Sequence, residues 1–142
     1  MARSLTFYRA IYGDTDQMGV VYYANYLRWF EMGRTEFLRQ MGMPYGSVEK
    51  RGVHFPVTEV SCHYYRPALF DDIIAIETTL TSLGRASLTF SYKLCREEDK
   101  TLLATGWTRH ACVNDTGKAT KIPASLVEIL KAAISQDSTQ GA

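Results

Sequence analysis

The sequence predicts an α+β chain in which an antiparallel β-sheet wraps around one long central α-helix. Three observations carry that expectation. Residues 22–41 repeat their large apolar side chains at three- and four-residue spacing, the period of a helix. From His54 to Val113 the apolar residues alternate instead, with short polar turns between the runs. Short connections join antiparallel neighbours, so one helix set early into such a meander gives layered α+β architecture.

Taken in order, Leu5–Ile11 carries Leu5, Phe7 and Ile11 in loose alternation and reads as a first strand. An acidic turn with Asp14 and Asp16 follows, then Gly19 and the apolar run Val20–Tyr23. Tyr23, Tyr26, Leu27, Phe30, Phe37, Leu38 and Met41 share one predicted helical face. Gly33 sits on or beside that face, where a missing side chain admits close approach of a sheet. Trp29 lies off the main stripe, which predicts a helix buried on most sides. Gly42 suits the helix end. Pro44–Arg51 reads as a connection with room for one helical turn. The next strands are predicted at His54–Arg66, irregular at Pro56, then Ile73–Leu83, Ala86–Cys95 and Leu102–Val113, with a hairpin at Gly84–Arg85. Pro123 opens a short last helix, Ala124–Ile134, because proline is favoured at a first helical position.

A chain of 142 residues with 46% apolar content fits a single domain over 1–142, with residues 135–142 a frayed polar tail. Sixteen basic against 15 acidic residues leave a net charge of +1, which excludes a protein that coats nucleic acid by charge alone. No apolar run approaches the ~20 residues of a transmembrane helix. The opening MARSLTFYRA lacks the apolar core of a secretory signal. Three cysteines, Cys62, Cys95 and Cys112, form no CxxC pair and read as free thiols. Together these features lead us to expect a cytoplasmic protein.

The stretch Ile11–Met43 is the candidate site. A polar turn feeding directly into a helix brings an acid close to unpaired backbone N–H groups, a place suited to chemistry on a carbonyl. Read from the residues alone, Asp16 either does that chemistry or merely shapes the turn and caps the helix. Asp14 either orients the loop or forms a carboxylate dyad with Asp16. Gly19 supplies backbone freedom and Asn25 suits loop hydrogen bonding. Glu31 either meets a substrate group or is a buried acid paired with Arg34 or a backbone donor. Tyr22, Tyr23 and Tyr26 suit either a pocket lining or core and interface packing. His54, His63 and His110 have no metal-ligand spacing, so no metal is expected. Cys62 adjoins His63, but neighbouring strand residues face opposite ways, which argues against a thiol–imidazole pair. No G-x-S-x-G elbow is present.

The run YGDTDQMGVVYYANYLRWFEMGRTEFLR, Tyr12–Arg39, resembles the signature of the hotdog-fold thioesterases. The branch it resembles is the 4-hydroxybenzoyl-CoA thioesterase type, including relatives associated with the Tol–Pal system. The pattern is an acidic pair (Asp14-Thr15-Asp16), Gly19, two apolar residues (Val20-Val21), and an aromatic-rich helix start (Tyr22-Tyr23, Asn25-Tyr26). The resemblance implies a hotdog fold and hydrolysis of an acyl- or aroyl-CoA to free acid and CoA. It implies Asp16 as nucleophile or general base. Backbone N–H near Tyr23 would polarise the carbonyl, with Gly19 and Val20 in the active-site loop and Asp14, Asn25 and Glu31 in support. Coenzyme A enters as part of the substrate, with no further cofactor. Its phosphates need cations; Arg85 with Ser87 is the first choice, and Lys118 and Lys121 the second. The resemblance further implies sheets joined side by side in a dimer, active sites at that interface, and a homotetramer. Alternatives are a thioesterase acting on an acyl carrier protein or on 1,4-dihydroxy-2-naphthoyl-CoA, and a hotdog module that binds acyl-CoA without turnover. Hotdog dehydratases usually carry a histidine at the helix start, and no histidine lies between Leu5 and Gln40.

Overall fold

In the computed structural model, which describes residues 2–140 and side chains as far as residue 134, the alternating runs pair as antiparallel strands and the early periodic stretch lies across them. The elements are β1 (Arg3–Arg9), a 3-10 turn (Tyr12–Asp14), α1 (Asn25–Gln40), α2 (Tyr45–Lys50), β2 (Val53–His54), β3 (Val57–Tyr64), β4 (Ile73–Leu83), β5 (Ser87–Arg96), β6 (Leu102–Ala111), β7 (Val113–Asn114) and α3 (Ala124–Gln140). The main sheet has five strands in the order β1-β4-β5-β6-β3, and β2 pairs with β7 in a small second sheet.

Alternation explains which face is buried. In β4, Ile74, Ile76, Thr78 and Leu80 point inward, and in β5 Leu88, Phe90, Tyr92 and Leu94 do the same. α1 packs on this inner face. Phe30 stacks on Tyr92 with ring centroids 4.3 Å apart, and Phe37 meets Phe90 edge-on. Gly33 is where helix and sheet come closest: a Cβ there would lie 2.8 Å from the Ile76 methyl and closer still to the Thr78 hydroxyl. Gly106 on β6 plays the reciprocal part, since a Cβ there would lie 2.6 Å from the Phe30 ring.

Several boundaries differ from the sequence expectation, each for a local reason. α1 begins at Asn25 rather than Tyr22, because residues 20–22 are still extended: Tyr22 N–H donates to the Asp14 carbonyl and Val21 N–H to that of Ala68. The buried stripe is therefore Tyr26, Trp29, Phe30, Gly33 and Phe37; Trp29 belongs to the core, while Tyr23 and Leu27 are exposed. Nor is the helix buried on most sides. The sheet covers one side, and Leu27, Arg28 and Glu31 face outward. The long strand expected at His54–Arg66 breaks into β2 and β3 around Pro56, which has no N–H for the ladder. Leu102–Val113 likewise divides at Cys112, whose N–H bonds to Ala86 C=O. α3 continues past Ile134 to Gln140, so the expected tail at residues 135–142 starts as helix, and residues 141–142 lie outside the described residues.

Candidate active site

The loop before α1 folds back on itself. Asp16 N–H donates to Val20 C=O, Gly19 N–H returns to Asp16 C=O, and Gly19 makes the reversal with φ of +82°, a conformation that side-chain-bearing residues rarely adopt. No atom lies within 4 Å of a Cβ placed on Gly19, so the backbone angle alone favours glycine there. Val20 then bridges to Leu69, fastening the loop to the turn before β4. That turn is held by Arg96, which bonds Asp72 at 2.9 Å and Pro67 C=O at 3.1 Å.

The two acids of the motif live differently. Asp14 is 2% exposed. Its Oδ2 accepts the Tyr8 hydroxyl at 2.8 Å and the Ile11 N–H at 2.9 Å, and Arg28 stands 3.7 Å from Oδ1. The Asp14 carbonyl accepts from Tyr22 N–H and from the Asn25 side-chain amide. Asp14 thus ties β1, the loop and the first turn of α1 together. The Tyr8 phenol is pushed to higher pKa by burial and by the Asp14 carboxylate beside it. Asp16 is half-buried, and among the described residues its carboxylate accepts one hydrogen bond, from Met18 N–H to Oδ1 at 2.8 Å. A carboxylate has room for about four acceptor contacts, so Asp16 has capacity to spare. Nothing bonds the two carboxylates to each other, and their partners differ.

The helix start is the second half of the arrangement. The residue before α1, Ala24, offers no side-chain cap. Among the described residues neither Tyr23 N–H nor Ala24 N–H has an acceptor. They stand at the positive end of a 16-residue helix. The Tyr23 carbonyl, by contrast, is held by the Tyr64 hydroxyl at 2.9 Å, which fixes the direction of that peptide. The three tyrosines divide: Tyr26 is buried, with its hydroxyl accepting Ala68 N–H, while Tyr22 and Tyr23 are exposed. Burial raises the pKa of the Tyr64 phenol, so it stays a protonated donor at neutral pH.

The expected CoA cations lie elsewhere. Arg85 is exposed on the β4–β5 turn and lines a cleft of about 430 Å³ with Lys121, Lys131 and Glu128. Ser87 closes the turn through its carbonyl, which accepts Gly84 N–H, and Lys118 does not line this cleft. β4 runs between the two places. Its first residue pairs with Arg9 beside the acidic loop, and its last adjoins Gly84. Its 11 residues put the ends about 33 Å apart at ~3.3 Å each. One chain therefore does not bring Asp16 and Arg85 together. Glu31 is exposed and forms no ion pair with Arg34, so of its two readings the buried structural acid does not hold.

Sequence reasoning missed Tyr8, Arg28, Tyr64 and Lys131. Arg28 had a readable signal, standing three residues after Asn25 and so one turn along the same helix side. Tyr8, Tyr64 and Lys131 reach their places only through tertiary packing.

Comparisons with known proteins bear on this geometry. The family model described as "Thioesterase-like superfamily" matches residues 12–130. The acyl-CoA thioester hydrolase YbgC of Escherichia coli O6:H1 is 36% identical over 87% of this chain and 92% of its own length. A hypothetical protein of Thermus thermophilus superposes with a TM-score of 0.86 at 38% identity, over 92% of this chain and 97% of its own. The DHNA-CoA thioesterase of Staphylococcus aureus superposes with a TM-score of 0.90 at 27% identity, over 100% of this chain and 97% of its own.

Proposed function

The chain belongs to the thioesterase-like superfamily, and on that premise we propose that it is an acyl-CoA thioesterase with the hotdog fold, its reacting groups at the start of α1. The observation that carries this reading is the pair of unpaired N–H groups at Tyr23 and Ala24, directly after the loop that presents an underused Asp16 carboxylate. Hydrolysis of a thioester builds negative charge on the carbonyl oxygen, and fixed N–H donors at a helix start stabilise that charge. Asp16 either attacks the carbonyl carbon, forming a mixed anhydride that water then cleaves, or removes a proton from the attacking water. In both routes the C–S bond breaks, CoA leaves as a thiolate and takes up a proton, and the free acid remains. Asp14, Asn25 and Tyr64 hold the loop and the Tyr23 peptide in place and touch no reacting atom.

The other part of the proposal is a second copy. β3 is an edge strand, and along it Val57, Val60 and Tyr64 are 41–46% exposed. A long apolar edge is a pairing surface. Antiparallel pairing of β3 with its twofold mate sets the Val57 end of one copy beside the Tyr64 end of the other. Tyr64 holds the helix start, while Pro56 and Val57 lie at the far end of the sheet, where Pro56 C=O accepts Ala111 N–H and Arg85 is close by in the turn. Pairing thus brings Asp16 of one copy towards Arg85, Lys121 and Lys131 of the other, which offer charge to the CoA phosphates.

The test is release of free thiol from a panel of acyl-CoAs. Wild type is expected to turn over, and Asp16→Asn to lose roughly 10²–10⁴ in kcat. Equal activity in the variant removes Asp16 from the chemistry; tight CoA binding with no release by wild type makes the protein a binding module. After a single turnover in ¹⁸O-water, label found in the Asp16 carboxylate establishes the anhydride route, because general-base hydrolysis puts all of the label in the free acid.

A further inference from the structure

A cavity of about 450 Å³ lies between the second half of α1, α2, α3 and the strands β3, β5 and β6. That volume is in the range of small-molecule sites, roughly 300–1,000 Å³. Leu38, Met43, Phe55, Phe90, Leu126 and Leu130 make its walls apolar, and Arg34 stands at a polar end with Glu31 and His110. Neither Asp16 nor Tyr23 lines it.

What surrounds Arg34 is a one-way chain of hydrogen bonds. The Phe55 carbonyl can only accept, so His110 donates to it from Nδ1 at 2.9 Å. His110 Nε2 is then the acceptor for the Thr108 hydroxyl at 2.8 Å, and Thr108 in turn accepts the Tyr92 hydroxyl at 2.6 Å. The Arg34 guanidinium lies near the Tyr92 hydroxyl, where its charge offsets part of the rise that burial gives the phenol's pKa. Burial and the Arg34 charge both keep His110 in the neutral form this chain requires. Every group behind the guanidinium is therefore satisfied. Arg34 itself carries five N–H donors and, among the described residues, no carboxylate forms an ion pair with it. Glu31 is exposed to water and lies outside ion-pair reach of it.

A guanidinium without a counter-ion at the end of an apolar cavity is arranged to receive an anion carried on an apolar body. We propose that this cavity holds the far part of the acyl group and that Arg34 selects acyl chains ending in a carboxylate, which makes the substrate class the CoA monothioesters of dicarboxylic acids. The proposal rests on the thioesterase reading and on the β3 pairing, which places the cavity of one copy beside the helix start of the other.

Matched acyl-CoA pairs test it: succinyl against butyryl, adipoyl against hexanoyl, suberoyl against octanoyl. In wild type, kcat/KM for at least one carboxylate-bearing member exceeds that of its neutral mate by about tenfold or more. Arg34→Gln abolishes that preference while hydrolysis of the neutral mates persists, and Arg34→Lys keeps part of it. A wild type with no preference in any pair, or a preference unchanged in Arg34→Gln, overturns the proposal. If wild type hydrolyses none of them, the thioesterase reading fails, and calorimetry reads the cavity by itself. Hexanoate binding without hexanamide binding, lost in Arg34→Gln, then upholds the anionic site; equal binding of the two overturns it.

Discussion

The two ends of the sheet are built for opposite purposes. At the helix-start end, polar groups are packed against one another. Asp14 is buried with five bonded neighbours on β1, the loop and α1, and Arg96 clamps the adjoining turn. At the other end lie an apolar cavity and a cleft rimmed by Arg85, Lys121 and Lys131. On the proposed reading the first end holds the reacting atoms, while the second supplies room and positive charge. A thioester of CoA needs both. On the proposed reading a single chain carries two half-sites, and a twofold pairing through β3 would join them.

The largest effect we expect tests that joining directly. Asp16→Asn and Leu38→Trp, the latter filling the cavity, are each inactive as homodimers, losing roughly 10² or more in kcat/KM. Unfolded together and refolded, random pairing makes half the dimers mixed, and each mixed dimer has one site with intact Asp16 and intact cavity. Roughly a quarter of wild-type activity returns. No return places both groups in the same chain's site, and the division into two half-sites fails. Val60→Asp, which sets like charges near the twofold on β3, is expected to give monomers by light scattering and to lose activity with them; an active monomer would likewise put the whole site in one chain.

Next in size is a stability effect confined to the helix-start end. Asp14→Ala removes Oδ2, the one oxygen to which the Tyr8 hydroxyl and the Ile11 N–H both donate. Leaving buried donors unmatched costs about 1–3 kcal/mol. Thermal unfolding should show a drop of several degrees, with kcat falling as the loop loosens. Unchanged stability would mean that this end is not the rigid one. At the far end, Arg85→Ala is exposed and should leave stability alone. It is expected to raise KM on CoA thioesters several-fold and to spare short thioesters that lack the nucleotide. Equal losses on both remove Arg85 from phosphate binding.

The sequence displayed these two ends unequally. Local pattern was enough for β4, whose observed span Ile73–Leu83 is the expected one, and for the Gly33 contact, because period and residue size are local properties. The pairing of the Asp14 side chain with Tyr8 and of Tyr64 with the Tyr23 peptide was not legible, since those contacts join residues on separate elements. The helix start was misplaced by the same kind of cause: Tyr22 and Tyr23 fit the helical period, but the Asp14 carbonyl claims the Tyr22 N–H and keeps that stretch extended. The cavity was out of reach entirely. Its lining comes from α1, α2, α3 and three strands, and no one segment of the chain shows more than a few of its residues.

The smallest expected effect concerns protons at the far end. His110 is 2% exposed, and burial, joined by the Arg34 charge, holds its pKa below the ordinary 6.5. The groups facing it are Tyr92 through Thr108, Arg34 and the Phe55 carbonyl; only the carbonyl favours the charged ring. The unfolded chain therefore binds a proton here at a higher pH than the folded one. Stability from this group is fully present above pH 6.5 and is lost progressively as pH falls from there through the depressed folded value. Charging the ring would also convert Nε2 from acceptor to donor and break the chain at Thr108, so the order behind Arg34 depends on the neutral form. Denaturant unfolding of wild type and His110→Gln between about pH 5 and pH 7.5 checks this. The wild type should lose stability towards the acid side more steeply than the variant, while Asp14→Ala should not alter the difference, because its network lies at the other end of the sheet. Parallel slopes in wild type and His110→Gln would mean that folding leaves the His110 pKa unshifted, and burial beside Arg34 would not be what keeps the ring neutral.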